Sequence, residues 1–95
     1  MKTFYSDCVA HYMRHYTRFE TSRSSAEIKN RKACESALGK LPPEDRAIIK
    51  AVYRDSNVTS EGVTKAVEAY HSNSIDVWRL VTKFELMVAK ARGLI

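Results

Sequence analysis

Apolar residues recur at helical spacing along the chain, and no segment alternates apolar with polar over a useful length, so helices are predicted throughout. The first is expected from about Lys2 to Phe19. On a wheel of roughly 100° per residue, Phe4, Tyr5, Cys8, Val9, Tyr12, Met13, Tyr16 and Phe19 fall within one half, while Asp7, Arg14, Thr17 and Arg18 fill the other. So broad and aromatic a face needs more cover than one neighbouring helix supplies. Either it walls the core or it docks against a second chain.

The polar, serine-rich stretch from Glu20 to Ser25 reads as a loop. Ser24-Ser25-Ala26-Glu27 has capping-box spacing, so a second helix starts there, with a thin stripe of Ala26, Ala33, Cys34, Ala37 and Leu38 and a stop at Gly39. Leu41-Pro42-Pro43 marks the next boundary, because proline suits a first helical turn and disfavours helix in the residue before it. Glu44 and Asp45 complement the dipole of a third helix carrying Ile48, Ile49, Val52 and Tyr53 on one face, and Asp55-Ser56-Asn57 ends it. Thr59 or Ser60 can cap a fourth helix with Val63, Ala66, Val67 and Tyr70 inward. His71-Ser72-Asn73 is a short turn, and Ser74 is the expected cap of a last helix running to about Arg92, before Gly93. The expectation is an all-α fold of about five helices. Residues 1–40 form an N-terminal helical pair for packing or dimerisation, and residues 41–95 a three-helix unit containing a helix-turn-helix.

On the last helix Val77, Trp78, Val81, Phe84 and Val88 share one face, and Trp78 and Phe84 are expected in the core. Asp76, Arg79, Lys83 and Lys90 lie opposite, within roughly 60° of the wheel. Arg79 and Lys83 form a like-charged i,i+4 pair, which a phosphate backbone would relieve. The plain alternative is a solvated basic face.

Charge and composition narrow the classes. At 95 residues the chain makes one domain, or one with a helical extension, and its 44% hydrophobic and 28% charged residues are ordinary for a folded protein. The net charge of +5 favours an anionic partner, though only mildly. No run approaches the roughly 18 apolar residues of a membrane span. The first residues reach Asp7 without an apolar signal core, and the two cysteines are too few for a disulfide scaffold, so a reducing cytoplasm is expected.

Catalytic and metal constellations are weak. Cys8, His11 and His15 share one side of the first helix and Cys34 could complete a zinc set, but no known finger spacing is reproduced. No nucleophile stands beside its base with a cleft to work in, and there is no glycine-rich phosphate loop. No enzyme activity, cofactor or metal is expected.

From Leu41 onward the chain resembles region 4 of bacterial sigma factors and the small phage-type regulators that share its helix-turn-helix. Leu41-Pro42-Pro43-Glu44-Asp45-Arg46-Ala47-Ile48-Ile49 with Tyr53 looks like that family's opening helix. Ala66-Val67 and Tyr70 match the inward positions of its first helix-turn-helix helix, Val77 a core position of its recognition helix, and Ala91-Arg92-Gly93 its closing stretch. The turn departs at His71, where glycine is usual. The resemblance implies contact with duplex DNA, and a role beside RNA polymerase. It places Ser72, Asn73 and Ser74 at phosphates, Asp76, Arg79, Leu80 and Lys83 on or beside the groove-facing surface, and Lys65 and Lys90 at the backbone. The rival class is a protein-interaction module of the same fold without DNA affinity. The surplus aromatic surface of the first helix predicts a homodimer through Phe4, Tyr5, Tyr12 and Tyr16. Against it stands a first helix that spends its whole face inside the chain.

Overall fold

The computed structural model describes residues 3–18, 24–54 and 56–95, which fold into five helices with no strand among them. They are α1 (Ser6–Arg18), α2 (Ser25–Gly39), α3 (Pro43–Arg54), α4 (Thr59–Tyr70) and α5 (Ser74–Arg92). Most of the loop expected from Glu20 to Ser25, both predicted ends of the first helix (Lys2 and Phe19), and Asp55 lie outside the described residues.

Helix ends follow local chemistry, with some shifts of a residue. Ser24 caps α2 by accepting from the Glu27 N–H at 3.2 Å, as its spacing predicts. Gly39 is the last residue of α2 rather than a left-handed stop, and Lys40 closes the helix in the right-handed region. Val58, not Thr59 or Ser60, takes the N-cap position of α4, and no side chain caps it. Asn73, not Ser74, caps α5, and Gly93 ends it with φ of 82°, a backbone that glycine tolerates best.

Three arginines finish what the helix ends leave open. The last carbonyls of a helix have no partner in it and carry its negative dipole end. At the end of α3, Arg14 Nε donates to the Ser56 carbonyl at 3.1 Å, and Arg18 donates to the carbonyls of Arg54 and Ser56 at 3.1 and 2.8 Å. At the end of α2, Arg46 donates to the carbonyls of Leu38 and Leu41, each at 3.1 Å. These bonds pin α1 to α3, and α3 to α2.

One continuous core runs through all five helices. Ile49, Val52, Tyr53, Val63, Val77, Val81, Phe84 and Val88 fill its centre, with the Tyr53 and Phe84 rings 6.4 Å apart. α4 lies so close to α3 that a methyl group at Gly62 would overlap the Val52 carbonyl oxygen, 1.8 Å away. α2 lies along α5, where Arg92 Nε donates to Asn30 Oδ1 at 2.6 Å. Burial pushes the Cys34 thiol up to about 12, and raises the Tyr16 and Tyr53 hydroxyls above the usual range.

The aromatic face of α1 is spent largely inside the chain. Val9, Ala10 and Met13 are buried, Tyr5, Tyr12 and Tyr16 pack half-buried against the core, and Arg31 stacks 4.6 Å over the Tyr16 ring. Phe4, 78% exposed, precedes the helix. The arrangement makes Val9, Ala10 and Met13 of this face a wall of the core.

Ala26 and Cys8, expected on apolar stripes, are exposed, and two aromatic inward assignments are corrected as well. Trp78 is 40% exposed, because the buried axis of α5 runs through Val77, Val81, Phe84 and Val88 and Trp78 stands at its edge. Tyr70 is 38% exposed, because it is the final residue of α4, where the chain already turns away from the core.

Candidate nucleic-acid interface

α4, the turn at residues 71–73 and α5 stand in helix-turn-helix order. The turn is made by His71 in the left-handed region, φ 52°, where a side chain is strained and glycine is not. The N–H groups of His71 and Ser72 both return to the Val67 carbonyl, closing α4. Asn73 then starts α5 with both ends of its amide: Oδ1 accepts from the Asp76 N–H at 2.9 Å and Nδ2 donates to the Asp76 carboxylate at 2.8 Å.

That pairing changes the roles of two candidates. Asn73 spends its amide on the cap. Asp76 sits in the first turn of α5, where an acid offsets the positive dipole end, and its carboxylate is held by Asn73. Asp76 therefore has a structural task at the start of the helix. Lys65 is exposed and paired with Glu61 at 3.1 Å on α4. Ser74, Arg79, Lys83 and Lys90 are exposed, while Ser72 and Leu80 are half-buried.

The surface around the first half of α5 has two unlike sides. One shallow depression brings Ser72, Asp76, Arg79 and Lys83 beside Glu44 and Asp45 from the start of α3. Its acids outnumber its cations, and it is a poor seat for phosphate. The other side, lined by Tyr5, Ile75, Trp78, Arg79, Thr82, Lys83 and Leu86, contains no acid among the described residues. Arg79 and Lys83 are shared by both. Lys90, on the second half of the helix, borders neither.

Several features here were not read from the sequence. Ile75 (63% exposed) and Leu86 add apolar surface to the outer face, and together with Trp78 they form a stripe along one side of α5. Glu85 lies buried on the inner side. The i, i+3 and i+11 spacing of Ile75, Trp78 and Leu86 was available, but which side neighbours cover is a tertiary fact. Cys8 is exposed and Cys34 buried, so the four residues of the notional zinc set do not share one environment.

No protein-family model, curated protein or solved structure matches the chain. No helix among the described residues is long and apolar enough to cross a membrane.

Proposed function

We propose that the chain is a cytoplasmic, non-catalytic transcriptional regulator that binds duplex DNA through the α4–turn–α5 unit. The observation that carries this reading is the acid-free side of the first half of α5, where Arg79 and Lys83 stand exposed on a helix whose other face is anchored in the core. A recognition helix needs this division: a rigid inner face and an outer face free to enter the major groove. Arg79 is the residue placed to reach a guanine edge, with Ile75 and Thr82 beside it for thymine methyl groups. Lys83 and Ser74 would hold phosphates, which gives affinity without sequence information. The sigma region 4 resemblance of residues 41–95 points the same way. Lys65 and Asn73 are the weaker members of the expected set, since both already have partners.

A second reading draws on the exposed stripe of Ile75, Trp78 and Leu86. Apolar side chains at helical spacing suit a partner helix better than a phosphate backbone, so the same surface would serve a protein-interaction module, with polymerase as one such partner. Fluorescence anisotropy with a random-sequence duplex at roughly 50 mM salt separates the two. Binding in the micromolar range supports the DNA reading. Absence of binding there leaves the interaction module.

A further inference from the structure

We infer that the outer side of α5, together with the start of α1, is a seat for an acidic amphipathic helix of a partner protein, and that such a helix excludes duplex DNA. This is the kind of partner the interaction-module reading calls for, and the seat rests on that reading's use of the outer face of α5. Ile75, Trp78 and Leu86 stand 63%, 40% and 38% exposed along the helix. Tyr5 closes one margin, and Phe4, 78% exposed, meets its ring edge-on at 5.3 Å. The strip from Ile75 to Leu86 runs for roughly 16 Å, about three turns, at about 1.5 Å per residue. Aromatic and branched aliphatic side chains gathered on one side mark a contact site, whereas singly scattered ones do not.

The charges choose the occupant. Arg79 and Lys83 run beside the apolar strip one turn apart, and no hydrogen bond or ion pair from a described residue holds either. No acid among the described residues lines this side. Glu44, Asp45 and Asp76 lie in the depression on the other flank of the pair, and Asp76 there is held by Asn73. Like charges one turn apart repel, so carboxylates brought by a partner both meet the cations and relieve their repulsion.

Other occupants fit less of the face. A second copy of this chain brings the same two cations and no acid, so two identical faces are opposed by charge. A phosphate meets Arg79 and Lys83 but offers Trp78 and Leu86 no apolar surface. A helix with an apolar stripe and carboxylates along one edge satisfies both halves of the face, as helix-in-groove recognition does. Arg79 and Lys83 are also the cations the DNA reading uses, so that helix and a duplex compete for them.

The probe is a designed peptide of about 18 residues, long enough to be helical in water, with leucines at i, i+3, i+4 and i+7, glutamates along one flank and no tryptophan. Anisotropy of a labelled peptide reads binding to the full chain. With the unlabelled peptide, emission of Trp78, the single tryptophan, reports whether the strip is covered. Saturable binding with a shift in Trp78 emission is expected. The same peptide with lysine for each glutamate, and a scrambled peptide of the same composition, should each bind at least about tenfold more weakly, since one loses the charge match and the other the stripe. Ile75→Glu and Arg79→Glu/Lys83→Glu alter exposed side chains, so both proteins should keep the wild-type circular dichroism. Each should weaken the glutamate peptide by about tenfold or more, and the double reversal should bind the lysine peptide better than the wild type does. Should either variant fail to fold, the lysine and scrambled peptides still decide. At saturation the glutamate peptide is expected to release a labelled duplex. No saturable binding of that peptide, equal binding of all three peptides, or unchanged affinity in the folded variants overturns the seat. Peptide and duplex bound together overturn the exclusion. The titration contains no DNA, so its failure leaves the DNA reading standing, and a chain that takes the peptide but no duplex keeps the seat and loses the DNA reading.

Discussion

Residues 74–83 and residues 84–92 belong to one uninterrupted helix, yet they meet very different surroundings. In the first stretch only Val77 and Val81 are buried, while Ile75, Asp76, Trp78, Arg79, Thr82 and Lys83 are exposed. In the second, Phe84, Glu85, Val88 and Ala89 are all buried, and Arg92 is tied to α2 through Asn30. The second stretch anchors the helix, and the first presents a surface. A recognition element needs both, because an outer face can be held in a defined place only if the inner one is fixed.

The largest effect expected from this contrast is on stability. Phe84→Ala should cost about 3–5 kcal/mol, the usual loss for a fully buried aromatic, and is expected to unfold much of the protein at physiological temperature. Trp78→Ala, although it removes the larger ring, should cost under about 2 kcal/mol, because much of that ring is already in water. Urea denaturation followed by circular dichroism measures both. Equal losses would erase the distinction between the two stretches.

Gly62→Ala is the next test, since it probes how α4 carries the exposed stretch. Helix propensity alone would favour alanine by about 1 kcal/mol. The Val52 carbonyl leaves no room for the methyl group, so a net loss in the range of about 1–3 kcal/mol is expected, as in overpacked cores. A thermal melt shows the sign at once, and a stabilised variant would mean that α3 and α4 sit farther apart.

How much of this was legible in the sequence depends on how far the cause lies from the residue. The five helices, the Ser24 cap and the buried stripes of α3 and α5 come from local spacing, and local spacing was enough. The cap of α5 went to Asn73 rather than Ser74 because the amide could serve both the N–H and the carboxylate of Asp76, and both candidates fit the pattern. Trp78 and Tyr70 were expected inward because a wheel gives direction but not the extent of cover. The carbonyls taken by Arg14, Arg18 and Arg46 and the burial of Glu85 depend on helices meeting across the fold, which periodicity does not encode. Of the interface candidates, Arg79 and Lys83 are exposed on the outer side of α5, whereas Lys65 and Asn73 are engaged by Glu61 and Asp76.

A smaller effect should appear only in alkali. Cys34, on the helix that lies along α5, has its thiol raised from 9.0 to about 12, chiefly by burial. The folded state therefore keeps a proton that the unfolded chain releases first. Its contribution to stability is complete below pH 9, falls as pH rises past 9, and is gone once pH passes 12. Tyr53 and Tyr16 act in the same direction at higher pH. Denaturation midpoints should decline across that window, and less steeply in Cys34→Ala. An identical decline in that variant would show that the buried thiol has no part in it.

The central claim is that Arg79 and Lys83 on the exposed stretch meet phosphate or base edges of duplex DNA, and salt dependence tests it most directly. Both side chains are exposed, so the Arg79→Ala/Lys83→Ala protein should fold as the wild type does. Wild-type affinity for a random duplex is expected to fall steeply with salt, and the double variant should bind more weakly with a logarithmic salt slope shallower by about one, for the lost phosphate contact of Lys83. A wild-type protein that fails to bind even at low salt, or a double variant whose slope and affinity are unchanged, would contradict the account.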